Sequence, residues 1–246
     1  LNAICYEKAL EYWSEIPATV DGVLGGFGFI SDVDIQGSRL FLQSILSSEN
    51  PPSTNLALDC GAGIGRISKY LLIPHFSSVD VIEPDEKFIN TIREYVGSNA
   101  EKLGNLYKVS LQEFRPEKKY DLIWNQWVLG YLKDDDLLSY LTYYSISNTY
   151  VHYYKFFLFD FRDALSENGV IIVKENVTSS GKTEKDDADS SVTRPLKEYI
   201  KIFGKAKLKR IKQCKQTNFP NGIYPVYMFA LIPNLISEGD NNHFKL

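Results

Sequence analysis

A chain of 246 residues with 44% hydrophobic and 24% charged side chains can bury a sizeable core around a central sheet, and its composition is that of a globular protein. Its formal net charge of -4 argues against non-specific nucleic-acid binding, and no apolar run reaches the roughly 18 residues that would predict a membrane-spanning helix. Cys5, Cys60 and Cys214 are too few and too scattered for a disulfide framework, and His75, His152 and His243 share no metal-ligand spacing, so no metal is expected.

From the N-terminus, Ile4, Tyr6, Leu10 and Trp13 fall close to helical spacing. A glycine-rich connector, Asp21 to Gly28, interrupts that helix, and a second amphipathic segment runs from about Ser38 to Leu46 before Pro51-Pro52 breaks the chain. A strand-helix alternation then begins. Leu56–Leu58 reads as a strand, Ile64–Ile73 as a helix, Val79–Ile82 as a strand, and Glu86–Val96 as a helix capped by Gly97. Leu106–Val109, Leu122–Trp124 and Val170–Val173 are the next strands, which together predict a parallel sheet covered on both faces. Ser191–Phe203 has helical spacing, Leu208–Cys214 and Val226–Leu231 are expected to pair antiparallel, and 234–246 reads as a loose tail. The aromatic-rich stretch Tyr140–Phe161 is read as a helix or helix pair packed on the sheet, with an exposed partner-binding surface as the alternative.

The most informative segment is Leu58-Asp59-Cys60-Gly61-Ala62-Gly63-Ile64-Gly65-Arg66. A strand runs into glycines that admit a ligand close to the backbone, and a helix follows. A dinucleotide site would want Gly-x-Gly-x-x-Gly, whereas this loop reads Gly-x-Gly-x-Gly behind an acidic residue. That pattern suits S-adenosylmethionine (SAM), whose amino-acid end needs donors and acceptors but no phosphate cradle. Glu83 ends the next strand, 22 residues after Gly61, where a carboxylate can take both ribose hydroxyls, and Leu111-Gln112 follow the third strand.

Other segments resemble one family, the protein α-N-terminal methyltransferases, which methylate the free amino group of proteins beginning Xaa-Pro-Lys. The matching blocks are Tyr12-Trp13, Thr19 to Gly26, Asp59 to Arg66, Trp124 to Trp127, Lys174-Glu175-Asn176 and Asp189 to Val192, within a resemblance spanning Tyr6 to Leu231. It implies the α/β, Rossmann-like class I methyltransferase fold. Its central sheet would have seven mostly parallel strands with one antiparallel, plus an N-terminal helical extension. The chain would form one domain, with 1–50 as a helical cap, 51–233 as the catalytic core and 234–246 as the tail.

The resemblance implies that Trp13, Gly61, Gly63, Arg66, Glu83, Leu111, Gln112 and Gln126 hold SAM, with Arg66 on its carboxylate. It implies that Leu24, Gly25, Trp127, Ser191 and Tyr224 bind the peptide, and that Asp186 and Asp187 receive its lysine. Asn176 and Asp189 would hold the α-amine. Read without the family, Trp127 is equally a core tryptophan, and Glu184–Asp189 is an acidic loop of the kind that is usually just solvated. Two departures stand out. Tyr131 occupies a position where the family often has histidine, and the aromatic stretch is longer than usual.

Methyl transfer from a sulfonium needs alignment and a neutral amine, so Asp189 is expected to take the amine proton while Tyr131 orients the amine. A monomer in the cytoplasm or nucleus, binding substrate tails but no membrane, completes the expectation. A small-molecule amine methyltransferase, which would have an enclosed pocket, and a non-catalytic SAM-binding protein are the alternatives.

Overall fold

Period-two alternation within each central strand dictates the layering. In the strand Leu165–Thr178 (β5), Ile171 and Val173 join one apolar cluster while Val170 and Ile172 join another. Leu58 and Ala57 divide in the same way in Leu56–Cys60 (β1), as do Ile123 and Leu122 in Tyr120–Gln126 (β4). A sheet apolar on both faces must be covered on both, as the sequence predicts. The computed structural model describes residues 4–142 and 164–234.

The main sheet runs β3-β2-β1-β4-β5-β9-β8, where β2 is Ser78–Ile82, β3 Leu103–Tyr107, β8 Leu208–Lys215 and β9 Val226–Pro233. β1 to β5 are parallel, β9 is antiparallel to β5, and β8 is antiparallel to β9, which gives the seven-stranded order with one reversed strand. A short antiparallel hairpin, Glu184–Asp186 (β6) with Ser191–Pro195 (β7), adds to the far end of β5. Among the described residues β8 pairs with β9 alone, and its residues 209–215 are exposed, including Lys209, Arg210, Lys212 and Lys215.

The helices cover the two faces. Glu86–Val96 (α4) buries Phe88, Ile89, Ile92 and Val96 at helical spacing. Its start is capped by the Asp85 carboxylate, which accepts from Phe88 N–H at 3.0 Å, and its end by Gly97 at φ 76°. Leu196–Lys205 (α6) packs Tyr199, Ile202 and Phe203 against Phe229 on the opposite face. Tyr6–Glu15 (α1), the short turn Val20–Val23 (α2), Ser31–Leu46 (α3) and Asp134–Leu141 (α5) complete the helices named here.

Several boundaries depart from the sequence expectation. The segment expected to be helical from Ser191 starts as β7, and Pro195 caps the helix that follows, since proline's fixed φ suits the residue at a helix start. The third strand begins at Leu103, earlier than expected, and α3 begins at Ser31. The connector at 21–28 overlaps the single turn α2, capped by the Thr19 hydroxyl, which accepts from Gly22 N–H at 3.0 Å. The supposed acidic loop is partly the strand β6. Of the aromatic stretch, Tyr140 is buried on α5, and residues from 143 to 161 lie outside the described residues, as does the tail beyond 234.

Candidate active site

At the C-terminal ends of β1, β2 and β4 lies a cavity of about 170 Å³, roofed by Tyr6, Ala9, Leu10 and Trp13 of α1. The turn after β1 carries Gly61, Gly63 and Gly65 at φ 69°, 55° and 85°. A Cβ on Gly61 would stand 2.5 Å from Val128 Cγ2, so glycine alone lets this loop pass against the end of β4. Glu83, buried just past β2, accepts from Gly63 N–H at 2.7 Å and from Asp85 N–H at 2.9 Å through its two oxygens. Burial pushes its carboxyl up to about 7 despite those bonds. Each oxygen retains a further lone pair for a ligand hydroxyl. With Arg66, Gln112, Gln126 and the Trp13 ring in the same wall, the donor set fits SAM: acceptors for a ribose, a cation for a carboxylate, and an aromatic face for a sulfonium.

The roof is tied down along its length. Cys5 N–H donates to Ser190 Oγ at 2.8 Å, and the Tyr6 hydroxyl donates to Asp136 while accepting from Lys133 N–H at 3.2 Å. Lys87 of α4 donates to the carbonyls of Trp13, Ser14 and Ile16, satisfying the open C-terminal end of α1. Trp13 then meets Phe88 and Tyr131 edge-on, with ring centroids 6.2 and 6.0 Å apart.

Beneath the cavity sits an ion network that sequence reasoning missed. Asp34 of α3, wholly buried, accepts from Arg66 Nη1 at 2.8 Å, Lys174 Nζ at 2.5 Å and Gln126 Nε2 at 2.9 Å. Burial works against its charge, but Lys174 and Arg66 outweigh it and hold the carboxyl below its ordinary range. Lys174, also at 0% exposure, donates further to Ser38 Oγ and Gln216 Oε1, both at 2.8 Å. Gln126 Oε1 accepts from Trp124 Nε1 at 3.1 Å, so its amide is locked with the oxygen's remaining lone pair available.

A second cavity, about 210 Å³, adjoins the first, and Trp127 and Tyr131 line both. Its inner end holds Asn176 and Asp189. Asn176 Oδ1 accepts from Trp127 Nε1 at 3.1 Å, and Asp189 Oδ2 accepts from the Tyr131 hydroxyl at 2.6 Å. Burial, then the Asp189 charge, drives the Tyr131 phenol well above its ordinary range, so it stays protonated and acts as a donor. The outer end is open and acidic: Asp186 is exposed, Tyr224 is 41% exposed, and Tyr224 donates to Glu184 at 2.7 Å. Trp127 itself adopts φ 53°, a left-handed conformation that costs a bulky residue about 1–3 kcal/mol.

A family model described as AdoMet-dependent proline di-methyltransferase matches residues 2–232. The chain belongs to this family. AdoMet is SAM, so the chain is a SAM-dependent methyltransferase. Among relatives of this methyltransferase, alpha N-terminal protein methyltransferase 1 of Drosophila melanogaster is 47% identical over 93% of this chain and 76% of its own length. N-terminal Xaa-Pro-Lys N-methyltransferase 1 of Homo sapiens is 42% identical over 92% of this chain and 94% of its own. A solved SAM-dependent methyltransferase of Leishmania major superposes with a TM-score of 0.78 at 34% identity, covering 92% of this chain and 82% of that one.

The methyltransferase structure gathers most of the predicted residues. All eight expected around SAM line the first cavity, together with Leu24, and Asn176, Asp186, Asp189, Ser191 and Tyr224 line the second. Two do not fit their expected place. Gly25 lines neither cavity, and Asp187 points to solvent, paired with Lys185. Arg66 faces the cavity while bound to Asp34, so it offers a partly neutralised guanidinium. Glu184, two residues before Asp186 in the same acidic run, also lines the second cavity, a place the sequence expectation does not give it.

Proposed function

We propose that the chain transfers methyl groups from SAM to the free α-amino group of protein N-termini of the Xaa-Pro-Lys type. One observation carries this: a second, open, acidic cavity meets the SAM cavity at Trp127 and Tyr131. A small-molecule amine site would be closed around its ligand, whereas this cavity has Glu184 and the exposed Asp186 in its wall, where a lysine side chain would find carboxylates. The names of the Homo sapiens and Drosophila melanogaster relatives point the same way.

SAM supplies the electrophilic methyl on its sulfonium. Glu83 orients the ribose, and Arg66 with the locked Gln126 amide addresses the amino-acid end. The Trp127 ring, fixed through its bond to Asn176, forms the wall for the substrate proline. Asp189 attracts the α-ammonium and takes its proton, while the Tyr131 hydroxyl and the Ser191 N–H, 3.0 Å from Asp189 Oδ1, hold that carboxylate in place. Rate enhancement comes chiefly from alignment.

Mass spectrometry of a Ser-Pro-Lys peptide incubated with protein and SAM, beside an N-acetylated control, is the test. Gains in whole CH₂ units on the free peptide alone are expected. No gain from a protein shown to bind SAM would refute the reading.

A further inference from the structure

Trp127 and Tyr131 belong to one tight turn, 127–132, and two buried side chains of opposite charge grip its backbone from different strands. On β5, the Glu175 carboxylate accepts from Val128 N–H at 2.9 Å and Leu129 N–H at 2.8 Å. On β7, the Arg194 guanidinium, 1% exposed, donates to the Leu129 carbonyl at 2.9 Å and the Leu132 carbonyl at 2.6 Å. Its Nη2 and Nε also donate to Asp134 Oδ1, at 2.7 and 3.0 Å. Trp127 N–H is taken by the Lys174 carbonyl at 3.0 Å. Gly130 lies so close to β7 that a Cβ there would stand 2.8 Å from the Val192 carbonyl oxygen.

We infer that Glu175 and Arg194 are positioning residues for methyl transfer, holding from two sides the turn that sets Trp127 and Tyr131 between cofactor and peptide. The inference rests on the proposed reaction. A left-handed tryptophan persists only where its surroundings over-determine it, and the grip on the N–H groups of 127–129 and the carbonyls of 129 and 132 does so. Neither side chain needs to touch the reacting atoms. Asp189 and Asn176, which face the amine, act through a wall whose place these two residues fix.

The test compares Glu175→Leu and Arg194→Lys with wild type by three measurements: amide hydrogen exchange across the turn, SAM affinity by calorimetry, and peptide kinetics. Leucine offers no acceptor to the Val128 and Leu129 N–H groups, which both bind the one oxygen Oε1 of Glu175, and a lysine ammonium cannot span both carbonyls. Amides of 128–132 are expected to exchange at least about thirtyfold faster, while the β4 amides keep wild-type protection. SAM affinity should stay within about threefold, while kcat falls at least about thirtyfold with a smaller change in peptide KM. Unchanged protection of the turn, or kcat falling only in step with SAM affinity and melting temperature, would overturn the inference. If one variant does not fold, the other decides. Wild-type protein that binds SAM yet leaves the peptide unmodified would instead fault the reaction, and the exchange data would still report whether the grip is real.

Discussion

Replacing Asp189 by asparagine separates charge from shape at the inner end of the peptide channel. Asp189 accepts from the Tyr131 hydroxyl and from Ser191 N–H through separate oxygens, at 2.6 and 3.0 Å; asparagine can accept from Ser191 N–H through its oxygen and donate to the Tyr131 hydroxyl through its NH2, so the local geometry should survive. Two effects of the charge are lost. The first is attraction for the substrate ammonium, which at about 4 Å and an effective dielectric of about 20 amounts to about 4 kcal/mol before screening. Asp189 is half-buried beside an open channel, so about 1.5 kcal/mol is a fair discounted figure, or about a tenfold rise in peptide KM. The second is proton acceptance. An α-amine with a pKa of about 7.7–8.0 is roughly one tenth neutral at pH 7, so a base that generates the neutral form gains about tenfold there. Together kcat/KM should fall about a hundredfold at pH 7. At pH 9 the free amine is already neutral, both effects vanish, and the variant should come within about threefold of wild type. The assay is initial-rate kinetics on a Ser-Pro-Lys peptide from pH 6.5 to 9. Equal activity at every pH, or a deficit that does not narrow, would refute the assignment of Asp189 as proton acceptor.

Gly61→Ala puts a methyl 2.5 Å from Val128 Cγ2 at φ 69°, and should cost about 2–4 kcal/mol of stability along with SAM binding, seen by urea melts and calorimetry. Asp34→Asn leaves Arg66 and Lys174 as buried cations without their carboxylate. A loss of about 3–5 kcal/mol is expected, and a denaturation midpoint unchanged from wild type would contradict the ion network. Glu83 titrates in the ligand-free fold at about 7 rather than 4.5. Its contribution to stability is therefore full below about 4.5 and is lost as pH rises through 7, an effect of about 3 kcal/mol. Glu83→Gln should flatten the fall in melting temperature between pH 5 and 8 while weakening SAM binding about tenfold or more.

What the sequence could reveal followed local rules. Glycines behind an acid, a carboxylate closing the next strand, and the amphipathic run of α4 capped by Asp85 and Gly97 are all written within a few neighbouring residues. The sequence predicts helix where β7 lies, because five residues ending in proline carry too little periodicity to oppose the strong helical pattern that follows. Asp34, Lys174 and Gln216 form a contact between distant parts of the chain, which no window can show. A hint was nevertheless present. Lys174 and Glu175 are charged residues following the apolar Val170–Val173, and Asp34 and Ser38 share the buried face of α3 with Leu42 and Ile45. Polar groups in such places must find partners, so each could have been marked as half of a network. The grip on the 127–132 turn is illegible for the same reason: Glu175 and Arg194 are distant from it in sequence, and the atoms they hold are backbone, which carries no sequence signature.

The outermost strand of the sheet bears on how the molecule behaves in crowded company. Among the described residues, β8 has a neighbouring strand on one side of its backbone alone, and the other side is a template on which another extended chain could grow. Lys209, Arg210, Lys212 and Lys215 crowd that margin with one sign of charge, and Lys205 and Lys207 extend it. Two such margins brought together would oppose cation to cation at close range, a penalty felt before any backbone bond forms. In a chain that is acidic as a whole, the positive edge thus serves as a guard against self-templated aggregation, weakest when salt screens it.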